Sequence, residues 1–136
     1  WKGKVFICVK PTTFMNLSGK AFKYWMDKEK VELENTLTIV DDLALPINKL
    51  RLRASGSDAG HNGLKDITKH FAGPDYFRVR IGVGRPPAPQ DPADYVLKPF
   101  SSTEKKELDD FIARGALAVE RLIEKGLEAA QQDFNK

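Results

Sequence analysis

Short strand-like runs alternate with helix-like stretches along the chain, and this order limits the folds that it can adopt. Residues 5–10 and 37–40 are apolar runs of strand length. Residues 50–53 and 77–83 alternate apolar and charged side chains, as half-exposed strands do. Apolar residues at helical spacing begin near Ser18. Strands that are separated by helices predict an α/β fold.

The length of the chain and its turn signals indicate one domain. The 136 residues suffice for one hydrophobic core and are too few for two. The proline-rich stretch 86–92 is short and lies between structured stretches, so it is interpreted as a surface loop. Ser101 and Glu104 have the capping-box spacing that begins a helix. Gly126 is the expected end of that helix, and a short helix continues to Phe134.

The apolar run at residues 5–10 is predicted to be a buried strand. Pro11 stops it, because proline cannot donate a hydrogen bond to a ladder. Cys8 lies inside the run and is interpreted as a small buried hydrophobic residue. We therefore expect this segment to form part of the sheet.

Composition excludes several classes of protein. A single cysteine rules out a disulfide framework and a cysteine-based metal site, and two histidines, His61 and His70, show no metal-ligand spacing. We therefore expect no metal and no cofactor. No apolar run is long enough to span a bilayer, and a reducing cytoplasm suits the cysteine content. The net charge of +3 and the pI of about 9.0 hint at a polyanionic partner.

Two polar clusters lie where predicted strands end. In the first, Asn16 precedes a helix, so its amide either caps that helix or binds a ligand between Phe14 and Met15. In the second, Asp41 and Asp42 end a strand. A carboxylate there either accepts a hydrogen bond from an imidazole or caps the following turn. Because adjacent strand residues point to opposite faces, the pair is a poor glycosidase acid and base.

A glycine-rich loop carries the third cluster, Gly60-His61-Asn62-Gly63, at the start of a predicted helix. Glycines let the backbone approach a ligand, and free amides at a helix start favour an anionic or carbonyl oxygen. A loop histidine between glycines is more often functional than part of a core. His61 and Asn62 are therefore candidate site residues.

Arginines form the fourth cluster. Alternation places Arg51 and Arg53 on one face of their strand and Arg78 and Arg80 on one face of theirs, and Arg85 follows in the next loop. A solvated face is the simplest interpretation, but the guanidinium fork suits phosphate, and two adjacent strands could form a phosphate clamp. The chain has no serine nucleophile elbow, no P-loop and no dinucleotide fingerprint.

Together the four clusters resemble the bacterial-type peptidyl-tRNA hydrolases. The matching segments are residues 10–19, 41–46, 60–65 and 78–86. The resemblance implies a single α/β domain with a mixed, twisted sheet flanked by helices, monomeric and without a cofactor. It also implies hydrolysis of the ester that joins a peptide to the 3′ ribose of tRNA, which recycles tRNA during translation.

The resemblance also implies roles for single residues around the ester. Asn16 and Asn62 would hold the peptide and the 3′ end of the substrate, and their amides would help to stabilise the oxyanion. Met15 would line the pocket. Asp41 would orient the catalytic histidine, and His61 would assist near the site.

The same resemblance implies how the tRNA is held. Arg53 and Arg80 would grip its 5′-phosphate, which would account for rejection of tRNAs that lack this group. The flexible stretch 86–96 and the helix after Ser101 would cover the cleft and extend the tRNA surface.

One family segment has no counterpart in the sequence. The family's general base lies in a Thr-Arg-His-Asn segment upstream of the strand expected at residues 5–10. We therefore expect residues 1–136 to be an N-terminally truncated hydrolase domain with little activity, in which Asp41 lacks its imidazole. The alternative is a non-catalytic RNA-binding relative of the same fold that acts in RNA processing. The retained Asn16, Asp41 and Asn62 favour the enzyme.

Overall fold

Three short strands form the sheet of the computed structural model, which describes residues 1–136. They are β1 (Thr38–Asp42), β2 (Leu50–Arg53) and β3 (Arg78–Gly82), in the order β1-β3-β2. The central strand, β3, is parallel to β1 and antiparallel to β2. The predicted mixed sheet of an α/β fold is therefore confirmed.

Five helices lie around the sheet. One short 3₁₀ turn comes before the first helix and another follows it. The helices are α1 (Ser18–Glu29), α2 (Asn62–His70), α3 (Pro92–Val96), α4 (Ser102–Lys125) and α5 (Leu127–Phe134), and the turns are Met15–Leu17 and Leu33–Asn35. The capping box of α4 is confirmed, because the Ser101 hydroxyl accepts from the Glu104 amide and the Glu104 carboxylate accepts from the Ser101 amide. None of the helices combines the length and the apolar character needed to cross a membrane.

The proline-rich region is more ordered than expected. Part of the stretch predicted to be flexible forms α3, which begins where the Asp91 carboxylate accepts a hydrogen bond from the Ala93 amide. The Tyr95 hydroxyl on this helix donates to the Val83 carbonyl at 2.6 Å. This bond ties α3 to the chain that leaves β3.

Helices cover both faces of the sheet. On one face, side chains of α4 and α5 pack on β2 and β3; the buried members are Leu50, Leu52, Val79, Phe111, Ala118 and Ala130. On the other face, α1 and α2 pack around a smaller cluster; it comprises Leu64, Ile67 and Tyr76 with the partly buried Phe22, Leu33, Val40 and Phe71. The second cluster packs α1 and α2 beside the sheet.

The outer edge of β2 is closed by side chains from the end of α5. The Leu52 amide donates to Asn135 Oδ1 at 2.7 Å, and the Leu52 carbonyl accepts from the amides of Gln131 and Asn135. The opposite edge strand, β1, pairs only with β3, and Ile39 on it is 60% exposed. The two edges of the sheet are therefore protected unequally.

The prediction of a buried strand at residues 5–10 is wrong. The run forms no regular structure, Val5 is 92% exposed, and Cys8 is exposed instead of buried. The physical reason is that a strand needs a hydrogen-bonded neighbour, and the three strands of the sheet pair only with one another.

The arginines of β3 are buried, contrary to the expectation of a solvated face. Antiparallel register sets Arg53 opposite Arg78 and Arg51 opposite Arg80, so all four side chains share one face. Arg78 is fully buried, and burial lowers its pKa. Its guanidinium stacks on the Tyr76 ring, with 4.0 Å to the ring centroid.

Backbone carbonyls compensate for the burial of Arg78. It donates to the carbonyls of Gly56 (3.2 Å), Tyr76 (3.3 Å) and Pro74. The Gly56 carbonyl belongs to the loop between β2 and α2. The buried charge therefore holds that loop against the central strand.

We predict that Arg78→Leu destabilises the fold by about 3 kcal/mol, because the buried Tyr76 carbonyl loses its donor and the Gly56 loop loses its anchor. Arg53→Leu is the matched control: it lies opposite Arg78 on the same face but is exposed, so its effect should stay within about 0.5 kcal/mol. Urea unfolding of both variants measures the difference. Equal effects would contradict the assigned anchoring role.

Candidate active site

Three segments of the chain meet at the candidate site. They are the 3₁₀ turn that carries Met15 and Asn16, the end of β1, and the start of α2. A Cβ atom on Gly63 would lie 2.8 Å from Met15 Sδ, so Met15 packs directly on the first turn of α2. His61, just before that turn, reaches back to Asp41 at the end of β1. The site residues predicted from separate motifs are thus linked by contacts.

His61 uses both of its ring nitrogens. Nδ1 accepts hydrogen bonds from the amides of Gly63 (3.1 Å) and Leu64 (3.3 Å), so the imidazole is the N-cap of α2. Nδ1 must then be unprotonated, which leaves the proton on Nε2. Nε2 lies 3.0 Å from Asp41 Oδ1 and donates to it. The helix start and the carboxylate together fix the tautomer and the plane of the ring.

This cap changes one expectation about the loop. The first amides of α2 were expected to be free for an anionic or carbonyl oxygen. Two of them are occupied, because the His61 side chain satisfies the amides of Gly63 and Leu64. The backbone amide of Asn62 has no acceptor within the protein, so it remains available to an oxyanion together with side-chain donors.

Asp41 has an imidazole partner in the structure, His61, which is not the histidine that the family resemblance assigns to it. The hydrogen bond from His61 lowers the pKa of Asp41, and partial burial opposes this shift. The Asp41 side chain is still 38% exposed. The carboxylate is therefore held ionised and open to a further donor.

The neighbouring carboxylate has a different task. Asp42 Oδ1 accepts from the Ala44 amide at 2.8 Å and so caps the turn after β1. Asp42 Oδ2 lies 3.5 Å from Nη1 of Arg80, and both side chains are buried. Both proposed uses of a carboxylate at the end of this strand occur, one on each aspartate.

The two candidate asparagines are exposed, and neither caps a helix. His61 caps α2, and the residue before α1 offers no side-chain cap. The amides of Asn16 and Asn62 can therefore bind a ligand, which leaves the ligand-binding interpretation of Asn16 in place. Phe14 and Met15 beside them are 81% and 56% exposed and offer apolar surface.

The expected phosphate-gripping pair is not presented as a pair. Arg53 is exposed, but Arg80 is buried between Asp42 and the Ser57 carbonyl, to which it donates. Strand register sets Arg53 opposite Arg78 and Arg80 opposite Arg51. The exposed arginines of this face are Arg51 and Arg53, whereas Arg80 is engaged by Asp42 and the Ser57 carbonyl, and its expected contact with phosphate stays a prediction.

One contact of the site gave no signal in the motifs. Asp66, inside α2, accepts hydrogen bonds at Oδ2 from the amides of Gly19 (2.7 Å) and Lys20 (3.3 Å) in α1. The only hint in the sequence is negative: Leu17, before α1, cannot cap it, so a cap has to come from another part of the chain.

Comparison with known proteins identifies the family. The family model for peptidyl-tRNA hydrolase matches residues 1–136. The chain belongs to the peptidyl-tRNA hydrolase family. Relatives within the family include peptidyl-tRNA hydrolases of Cytophaga hutchinsonii, 51% identical over 98% of this chain and 71% of that protein, and of Kineococcus radiotolerans, 45% identical over 98% of this chain and 67% of that protein.

Solved structures of the peptidyl-tRNA hydrolase family share the fold. The crystal structure of the Acinetobacter baumannii enzyme superposes with a TM-score of 0.82 at 31% identity and covers 92% of this chain. The chain spans 63% of the length of that structure. The family, and the fold inferred from the resemblance, are therefore confirmed.

We predict that the Asp41 carboxyl titrates below its ordinary value of 3.8 and that His61→Ala raises this midpoint, because the hydrogen bond is lost while partial burial remains. The ionised group then stabilises the fold above about pH 3.8, and this contribution is lost as the pH falls through the lower folded value. Carbon-13 carboxyl NMR measures the midpoint. Asp27→Asn, at an exposed site on α1, is the control and should leave it unchanged; an unshifted midpoint in His61→Ala would refute the assignment.

Proposed function

We propose that these residues bind the peptidyl ester at the 3′ end of tRNA and orient the base that hydrolyses it. The observation that carries the proposal is the Asp41–His61 hydrogen bond of 3.0 Å, next to the exposed amide of Asn62 and to Met15 packed on the same helix start. Family membership supports the substrate. A pure RNA-binding relative would have no use for an ionised, oriented carboxylate beside two free amides.

Ester hydrolysis needs a base that takes a proton from water and donors for the oxyanion. Asn16 and Asn62 are assigned as those donors, and Phe14 and Met15 as the apolar walls of the substrate pocket. His61 is not assigned as the base. Its Nδ1 lone pair points at two helix amides and its Nε2 proton points at Asp41, so no lone pair is left for water.

Asp41 is assigned as the group that orients the base. His61 occupies Oδ1, and the side chain is exposed enough to accept a hydrogen bond from a second imidazole. In this arrangement His61 fixes the carboxylate in place, and the carboxylate fixes the base. His61 is therefore a positioning residue, and the proton acceptor is another group.

The tRNA body is assigned to the arginine face of β2. Arg51 and Arg53 are exposed there, and the buried Arg78 adds positive charge beneath them, while Asp42 balances the charge of Arg80. Like charges on one face attract an anion, and the guanidinium of Arg53 is the group that meets the 5′-phosphate. Arg80 contributes through its hold on the loop that carries Ser57.

Four further expectations stay predictions. They are a monomer, a single domain, a cytoplasmic location, and a role of α3 and α4 in extending the tRNA surface. A cytoplasmic location is consistent with a peptidyl-tRNA substrate. The proposed reaction uses no cofactor.

We predict that residues 1–136 alone hydrolyse N-acetylaminoacyl-tRNA at least about a hundredfold more slowly than the Cytophaga hutchinsonii relative, because His61 cannot act as a base and general-base catalysis contributes about that much or more. Turnover of the blocked aminoacyl-tRNA under identical conditions is the measurement. Normal turnover that His61→Ala abolishes would instead make His61 the base and contradict the assignment.

We predict that Arg53→Ala lowers the slope of log K against log salt for tRNA binding by about 0.7–0.9, the share of one phosphate contact. For tRNA without a 5′-phosphate, Arg53→Ala should leave this slope unchanged. Lys28→Ala, an exposed cation in the last turn of α1, is the matched control and should leave the slope unchanged. An effect of Arg53→Ala that does not depend on the 5′-phosphate would remove this residue from the proposed contact.

A further inference from the structure

The N-terminus of α1 is capped by another helix. Leu17 precedes it and provides no side-chain cap, and the preceding 3₁₀ turn changes to α-helix at this point. The amides of Gly19 and Lys20 instead donate to Oδ2 of Asp66, at 2.7 and 3.3 Å. Asp66 lies inside α2, and its side chain is only 13% exposed. A partly buried carboxylate on one helix thus satisfies two amides in the first turn of the other.

Two glycines bring these helix starts into contact. A Cβ atom on Gly19 would overlap the Asp66 carbonyl and would lie 2.6 Å from Nδ1 of His70. A Cβ atom on Gly63 would lie 2.8 Å from Met15 Sδ. A side chain at Gly19 would meet the backbone of α2 and separate the two helices, whereas a side chain at Gly63 would displace the side chains of Met15 and His61. The approach is therefore set at both ends, by Asp66 on Gly19 and by Met15 on Gly63.

The position of this contact relates it to the site. Gly19 lies three residues after Asn16, and Asp66 lies four residues after Asn62, so each capping partner is about one helical turn from a candidate substrate-binding amide. The hydrogen bond between the helices then determines the separation of Asn16 from Asn62. No other hydrogen bond joins α1 to α2 so near these two side chains.

We infer that Asp66 is a positioning residue, which holds the two asparagines at the spacing that the 3′ ester end of peptidyl-tRNA needs. This inference rests on the proposed function. Asp66 itself faces the amides of α1 and does not touch the substrate. His70 packs against Asp66, with its Nδ1 2.9 Å from the Asp66 carbonyl and 3.6 Å from Oδ2.

The test separates binding of the ester end from binding of the tRNA body. The probe for the ester end is an amide analogue of N-acetylaminoacyl-adenosine, which cannot be hydrolysed as an ester, and the probe for the body is deacylated tRNA. Asp66→Ala should weaken binding of the analogue about tenfold, since small displacements of positioned groups have large effects. Binding of deacylated tRNA should change less than twofold. Calorimetry or fluorescence titration of the 136-residue chain gives both affinities.

A conservative variant distinguishes positioning from general loss of stability. Asp66→Asn keeps an acceptor oxygen for the amides of Gly19 and Lys20, so it should retain analogue affinity to within about threefold. Amide NMR should show the Gly19 and Lys20 resonances shifted in Asp66→Ala and near their original places in Asp66→Asn. Asp27→Ala, which removes an exposed carboxylate of α1, is the control and should bind both probes normally.

The outcomes are distinct. Equal loss of analogue and tRNA affinity in Asp66→Ala, or no loss of either, would overturn the positioning role while leaving the proposed function in place. Failure of Asp66→Asn to restore the analogue affinity, with its amide resonances restored, would also overturn it. Failure of the unaltered chain to bind the analogue at all would overturn the proposed function and this inference together.

Discussion

Burial of two positive charges on the central strand is the constraint on which the site depends. A guanidinium removed from water needs partners for its donors, and Arg78 and Arg80 find them in the carbonyls of Gly56 and Ser57. Those carbonyls belong to the loop that leads to His61. The buried arginines therefore fix the position of the loop. Because the loop is fixed, the His61 imidazole at its end is held next to Asp41.

The two adjacent aspartates at the end of β1, Asp41 and Asp42, have different roles. Asp42 is buried, caps a turn and neutralises Arg80, so it belongs to the framework. Asp41, on the opposite side of the strand, is half-exposed and kept ionised by His61. The Asp42 carboxylate lies close to the buried Arg80, whereas the neighbouring Asp41 carboxylate remains able to act on a ligand.

Local patterns predicted the elements of this fold well, because their causes are local. Strand alternation at β2 and the capping box at Ser101 depend only on neighbours in sequence. The strand expected at residues 5–10 failed because pairing is not local. The site followed the same rule: motifs identified Asp41 and His61 separately, but their hydrogen bond, the burial of Arg80 and the cap from Asp66 depend on how distant segments pack.

The unequal edges of the sheet bear on how the chain behaves in concentrated solution. Asn135 and Gln131 occupy the outer backbone groups of Leu52 on β2, so that edge cannot recruit another strand. β1 has no such cover, and the chain also exposes the apolar run around Val5. An open strand edge combined with an exposed β-prone run favours edge-to-edge aggregation. We therefore expect strand-to-strand association to start at β1, on the opposite side of the sheet from the edge that the C-terminal helix protects.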